Sequence, residues 1–196
     1  MLVVACGYVR AQDAVPSKGP KRAERPFYDA SFAKADLRGK ALRSASPAFQ
    51  KASFNEADLA GAKLTGGDAS FQLATFDEAN VPNAVLVGGA SAFQMASFAG
   101  ANLRNARLAG QGAAFQRASF DGADLRGAKI TCGVTGFQGA TISAAKFQDA
   151  DLSAIDPRSL ASCIASAARP PEYNQATRFP KGFDPARHGW KLAAVR

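Results

Sequence analysis

The chain has 196 residues, enough for one domain with a sizeable core or for one domain with tails. It is 47% hydrophobic and 20% charged, with 24 Lys and Arg against 16 Asp and Glu and a formal net charge of +8. No run approaches the roughly 18 apolar residues of a membrane-spanning helix, and three scattered cysteines with a single histidine exclude a disulfide framework and a recognisable zinc site.

The charge is unevenly placed. Residues 1–26 hold five basic and two acidic residues, residues 27–154 hold twelve and eleven, and residues 155–196 hold seven and three. The excess lies in the two ends, where a basic tail more often solubilises than reads nucleic acid.

In chain order, Met1-Leu2-Val3-Val4-Ala5-Cys6 is a short apolar run, and Val9-Arg10-Ala11 before Gln12 resembles a signal-peptidase site. Val3-Val4-Ala5-Cys6 also resembles a lipoprotein box, which would make Cys6 a lipid-anchored residue. The run lacks the basic n-region and longer apolar core of a full export signal. Two readings of residues 1–25 therefore stand level. One is a truncated export signal plus linker, which places the protein in the periplasm or outside the cell. The other is a disordered extension on a cytoplasmic protein. Residues 13–25 are polar, basic and proline-containing, as a linker requires.

From residue 26 to 154 the chain repeats every five residues. Ala35-Asp36-Leu37-Arg38-Gly39, Ala57-Asp58-Leu59-Ala60-Gly61, Ala101-Asn102-Leu103-Arg104-Asn105 and Ala123-Asp124-Leu125-Arg126-Gly127 show the unit: a large apolar centre with a small residue two places earlier. Period five fits neither a helix nor a simple strand. It fits a chain that turns a corner every five residues, with the centre and the small residue pointing inward along a short extended side. A second period confirms this, because Phe-Gln recurs at 49, 71, 93, 115 and 137, each 22 residues after the last. Four five-residue sides make 20, so each coil carries two extra residues at one corner.

Counting back from Phe49 to Phe27 gives about six coils. Side one carries Phe27, Phe49, Phe71, Phe93, Phe115 and Phe137, and side two carries Phe32, Phe54, Phe76, Phe98, Phe120 and Ile142. Side three carries Leu37, Leu59, Val81, Leu103, Leu125 and Phe147, and side four carries Leu42, Leu64, Leu86, Leu108, Ile130 and Leu152. Coils stacked at strand spacing, about 4.8 Å, would make a column roughly 29 Å tall. Lys40 stands where alanine is expected, and Pro47 and Thr135 do so on side one, which should be the least regular side.

These units resemble the pentapeptide-repeat family, whose pattern is Ala-(Asp/Asn)-Leu-x-x, over about two-thirds of the chain. The resemblance implies an all-β fold, the right-handed quadrilateral β-helix. Residues 155–196 are expected to form a short α-helical cap and an extended tail. Asp156-Pro157 reads as a helix start, Leu160, Ile164 and Ala167 share a face, and Pro170-Pro171 stops a helix spanning 157–168. The stretch from Tyr173 to Pro185 looks like a tail found in many bacterial pentapeptide-repeat proteins. Its Phe179 and Phe183, with Trp190, are expected to dock on the barrel side.

The sequence offers little chemistry. His188 is the only histidine and lies in the tail, so no Ser-His-Asp or Cys-His pair can be assembled around it in the barrel. The stacking register brings Glu56 beside Glu78 with Asp77 adjacent, a cluster that would suit a cation-dependent activity or simply a solvated face. Neither a catalytic residue nor a cofactor or metal site is assigned. Gln50, Gln72, Gln94, Gln116 and Gln138 form one outward column, expected to be an amide ladder. Ser31, Ser53, Thr75, Ser97, Ser119 and Thr141 form a hydroxyl column expected to support the corners. The lower coils gather Arg104, Arg107, Arg126 and Lys129, the best candidate for an acidic partner, although Asp121 and Asp124 lie close by.

The preferred function is a non-catalytic scaffold that binds a protein partner through an outer face of the β-helix. The alternative is a regulator of topoisomerase, because the resembled family has members that protect DNA gyrase by mimicking duplex DNA. A barrel of twelve basic and eleven acidic residues opposes that role, since DNA carries one negative charge per roughly 1.7 Å. Nucleic-acid binding is disfavoured for want of an aromatic platform beside the basic cluster.

Overall fold

A computed structural model describes residues 15–16, 27–43 and 49–194. The expectations placed on Cys6, on the export signal and on Pro47 lie outside the described residues.

The chain is a quadrilateral β-helix, and its parallel coil-to-coil connections take the right-handed sense that parallel crossovers adopt. Side four carries the continuous sheet. Its strands β3 (Ala41–Arg43), β4 (Lys63–Thr65), β5 (Val85–Ala90), β6 (Arg107–Gln111), β7 (Lys129–Thr131) and β8 (Asp151–Ala154) form a six-stranded parallel sheet in chain order. The register is 22, with Leu42 opposite Leu64, Leu64 opposite Leu86, Leu86 opposite Leu108 and Leu108 opposite Ile130. Sides two and three follow the same register through single bridges, such as Ser53 to Thr75 and Asp58 to Asn80.

All twenty-four inward positions are at most 3% exposed. Phenylalanines stack face to face at strand spacing as far as Phe115 and Phe120, 4.8 Å for Phe27 on Phe49, 5.0 Å for Phe49 on Phe71 and 4.7 Å for Phe54 on Phe76. Phe137 then tilts from Phe115 to stack on Phe120. Corners after sides one to three place a left-handed residue at the fifth position, among them Glu56, Asn83, Met95 and Gly61. A backbone bond closes each turn, as from the Ala62 N–H to the Leu59 carbonyl. Most of these residues are not glycine, so stacking must offset the roughly 1–2 kcal/mol that a left-handed side chain costs.

Side one departs from the expected alternation. Its buried small residues are Ser70, Ala92, Ala114 and Gly136, one place before each phenylalanine and not two. The two-residue insert is the cause: the chain runs on past side four and winds tightly back, so the residue before phenylalanine meets the residue four earlier. A Cβ at Gly66, Gly88 or Gly110 would come closer than 3.0 Å to the Cβ of Ser70, Ala92 or Ala114 respectively. In the next coil the sizes are exchanged. Cys132 takes the glycine's place, and Gly136 leaves it room.

The C-terminal region also departs from expectation. Helix α1 spans only Pro157–Ala161, with the Asp156 carboxylate accepting from the N–H groups of Arg158 and Ser159 at 2.9 and 3.1 Å. The helix does not continue to 168, because the sixth coil's edge claims the chain. Ile164 pairs with Thr141, Glu172 with Lys146 and Arg178 with Asp151, and the Ser159 hydroxyl accepts the Phe137 N–H at 2.8 Å. Residues 159–178 thus lay down a seventh coil whose register stretches from 22 to 27. It satisfies backbone groups that an open edge would leave unpaired. Ile164, expected on the buried helical face, is 60% exposed.

The tail then closes the end of the barrel instead of docking on its side. Strand β9 (Glu172–Tyr173) pairs in parallel with β10 (Lys191–Leu192). Trp190 sits 4.9 Å from Phe147, the position of a next rung of core, and Phe179 meets Trp190 edge-on at 5.3 Å. His188 stacks on Phe183 at 4.8 Å. At the other end, β1 (Val15–Pro16) pairs antiparallel with β2 (Ala30–Ser31), so part of the expected linker adds a strand to the first coil.

Candidate interaction surface

Outward polar side chains are largely taken up by rungs between coils. The glutamine column is an unbroken ladder: each amide donates to the next carbonyl oxygen, from Gln50 to Gln72 at 2.6 Å, Gln72 to Gln94 at 2.7 Å, Gln94 to Gln116 at 2.8 Å and Gln116 to Gln138 at 3.0 Å. On side three, Asn102 donates to Asn80 at 2.8 Å and Asn80 to Asp58 at 3.0 Å. Repetition fixes this chemistry, because identical groups at strand spacing can each donate to one neighbour along the column and accept from the other.

Two of the three acids clustered on side two are engaged with neighbouring coils. Asp77 accepts the Ser97 hydroxyl and, at 3.2 Å, the Ala99 N–H, while Glu56 pairs with Lys34 at 3.4 Å. Asp121 accepts from the Thr141 hydroxyl at 2.8 Å and from the Ser143 N–H at 2.6 Å. Among the described residues, no group of three or more His, Cys, Asp or Glu is placed to hold a metal ion. Burial pushes the thiols of Cys132 and Cys163 up to about 12, further from a reactive thiolate, and for Cys132 the Asp156 carboxylate adds to it.

The four basic candidates occupy the corner of sides three and four, but they are not equivalent. Asp124 ties two of them: Arg104 Nε donates to it at 2.7 Å, and Arg126 forms a fork at 2.8 and 2.6 Å. Lys129 lies 3.8 Å from Asp151, which Arg178 also approaches at 3.4 Å. The Ser153 hydroxyl and backbone N–H, then the nearby cations Arg178 and Lys129, hold the Asp151 carboxyl below its usual range. Arg107 forms no ion pair among the described residues, and neither does Lys63, two rungs above it.

The sheet register adds what the sequence reading missed. Ala41, Lys63, Val85, Arg107, Lys129 and Asp151 form one outward column of side four, and Arg43, Thr65, Val87, Ala109 and Thr131 form the next. Val85 and Val87 are half-buried, outward residues on the third of the sheet's six strands. The signal in the sequence was the absence of any Lys or Arg between Lys63 and Arg104.

The family model described as Pentapeptide repeats matches residues 27–66 and 93–131, in eight copies. The unmatched stretch between them, 67–92, is the corner after coil two and the whole of coil three. No curated protein matches the chain. Among solved structures the chain is similar to full-length QnrB1, a plasmid-mediated fluoroquinolone resistance protein, at 16% identity and a TM-score of 0.42, over 85% of this chain and 91% of that one. It is also similar to HetL, a pentapeptide repeat protein involved in heterocyst differentiation regulation from the cyanobacterium Nostoc sp. strain PCC 7120, at 20% identity and a TM-score of 0.22, over 71% and 62% of the two chains. A third is Rfr23 from the cyanobacterium Cyanothece 51142, at 21% identity and a TM-score of 0.18, over 62% and 63%.

Proposed function

We propose that this chain, a pentapeptide-repeat protein, is a non-catalytic scaffold that binds a protein partner through the corner of sides three and four. The observation that carries this reading is the disposition of its polar groups. Much of the outward polar chemistry of sides one to three is engaged with neighbouring coils, in the glutamine ladder, in the Asn102–Asn80–Asp58 rungs and at Asp77 and Asp121. Among the described residues, by contrast, the outer sheet face of side four, beside Arg104, Arg107, Arg126 and Lys129, carries no such ladder. A stacked core and continuous ladders hold such a face rigid, which lowers the ordering cost of association.

Affinity enrichment with quantitative mass spectrometry from the native host tests this. The comparison is wild type against Arg107→Glu/Lys129→Glu and against Arg117→Glu on another corner. A protein enriched by wild type and by R117E but lost by the double variant supports the reading. No protein that depends on this corner overturns it.

The topoisomerase alternative meets an electrostatic obstacle. A duplex mimic as tall as six coils, about 29 Å, would need on the order of 17 net negative charges, whereas the barrel's eleven acids face twelve bases. Inhibition in a supercoiling assay at stoichiometric amounts would revive it.

A further inference from the structure

Resting on the scaffold reading, we infer that the outer face of side four, centred on Val85 and Val87, docks an acidic protein segment that carries aliphatic residues between its carboxylates.

Three features lead there. First, the face has a definite chemical order. Down one column run Lys63, Val85, Arg107 and Lys129, and beside it Thr65, Val87, Ala109 and Thr131. At strand spacing, Lys63 and Arg107 stand about 9.6 Å apart with Val85 between them. Second, neither cation has an anion of its own among the described residues. The only acid in the column is Asp151, two rungs below Arg107 and already held by Lys129 and Arg178. Third, coil three changes character only on its outside. Its inward residues Phe71, Phe76, Val81 and Leu86 are fully buried like those of every other coil. Its outward positions on side four are valines, and this coil falls within the stretch the repeat pattern does not match. Folding does not require apolar residues at outward positions of this sheet, because Lys63, Arg107 and Lys129 occupy equivalent ones.

The same order argues against other occupants. A second copy packed face to face about a two-fold axis along the column sets Lys63 against Lys63 and Arg107 against Arg107. An axis along the strands through Val85 sets Lys63 against Arg107. Both put cation against cation. Nucleic acid would need cations continuing at phosphate spacing, and the valine rung interrupts them. A segment with carboxylates set to reach Lys63 and Arg107, and aliphatic side chains between, matches both charge and polarity.

The test uses the full chain and fluorescein-labelled 12-residue peptides in fluorescence anisotropy at physiological salt. The peptides are an acidic–aliphatic sequence of alternating Glu and Leu/Val, its counterpart with Ser for the aliphatics, and its counterpart with Lys for the acids. A 12-base-pair duplex is the fourth probe. The acidic–aliphatic peptide should bind, the Ser counterpart about fivefold or more weaker, and the Lys peptide and the duplex not measurably. Arg107→Glu and Val85→Ser should each weaken binding about tenfold, with Arg117→Glu unchanged and all variants folded by circular dichroism. The inference falls if the acidic–aliphatic peptide fails to bind, binds no better than its Ser counterpart, or is weakened equally by R117E. It falls while the scaffold reading survives if a host protein is still captured through Arg104 and Arg126 by a Val85→Ser variant.

Discussion

The exchange of size between Cys132–Gly136 and the three pairs above it gives a quantitative test of how the insert corner packs. In coil four, Gly110 faces Ala114, and a methyl group on Gly110 would overlap the Ala114 Cβ, while the other atoms near it, the Gly89 carbonyl oxygen at 3.6 Å and the Ala114 Cα at 3.7 Å, are ordinary contacts. Gly110 has no left-handed backbone, so Gly110→Ala strains nothing except that one contact. Overpacking of this kind costs about 1–3 kcal/mol. Ala114→Gly removes a fully buried methyl and adds glycine's unfolded-state freedom, about 1.5 kcal/mol together. Independent sites would make the double variant cost the sum of the two single changes. If the sites share one methyl-sized space, as Cys132 and Gly136 do in the following coil, the double variant G110A/A114G returns to within about 1 kcal/mol of wild type. The coupling energy is then roughly 2 kcal/mol, large for a double-mutant cycle. Urea denaturation followed by far-ultraviolet circular dichroism measures all four corners of the cycle. Additivity within about 0.5 kcal/mol would refute the shared-space account of side one.

Other perturbations follow from the same structure. Gln94→Ala breaks two rungs of the amide ladder and should cost about 1–3 kcal/mol, read as a lowered urea midpoint, whereas Gln138→Ala at the ladder's end breaks one rung and should cost about half as much. Trp190→Ala removes the plug under Phe147 and should cost about 3–5 kcal/mol. Hydrogen exchange should speed up in residues 159–192 while coils two to five keep their protection, and Trp190→Phe should retain most of the stability. Cys132 and Cys163, both pushed up to about 12 by burial, keep their protons in the folded chain up to that pH. The unfolded chain loses them from about 9, so stability should fall as pH rises through 9 to 12. In a Cys6→Ser background, no thiol should react with a disulfide reagent at pH 8 until urea unfolds the chain, and Cys132→Ala/Cys163→Ala should flatten the alkaline decline.

What could be read from the sequence divides along the direction a side chain points. Inward positions were legible because burial in a narrow square bore admits only one large and one small residue per side, and the 22-residue period repeats that demand six times. Phe27 to Leu152 therefore fell where the period placed them. The glutamine ladder was legible for the same reason, since identical amides at strand spacing have few alternatives. Side one was misread by a single residue. Alternation along an extended side was carried into a corner where the chain is not extended, although Gly66–Ser70, Gly88–Ala92 and Gly110–Ala114, four apart, already held the clue. The seventh coil was illegible in principle from period alone. Its pairings with the sixth coil drift from 22 to 27, and a helix cap at Asp156 competed locally with a sheet edge that only the folded sixth coil presents. The sequence sets Asp121 and Asp124 close to the basic cluster, but which cations each acid holds was not legible there. Arg126 reaches Asp124 within its own strand side, and Arg104 reaches it from the coil above.

That division also tells where function is to be sought in a solenoid of this kind. Inward residues answer to the bore, ladder residues answer to the stacking, and each is fixed by the fold whatever the protein does. An outward position that joins no rung answers to neither, so its departure from the pattern of its own column carries information that the rest of the surface does not. Inside the sheet, Thr65, Ala109 and Thr131 keep to small or hydroxylated residues in their column, and Lys63, Arg107 and Lys129 keep to cations in theirs. Ala41 and Arg43 depart at the first rung and Asp151 at the last, both at the sheet's ends. Val85 and Val87 break both columns at one interior rung. One such break would be chance variation on a solvated face. Two side by side on the longest strand, with an unpaired cation on the rungs above and below Val85, form a surface whose composition the barrel does not need for its own folding.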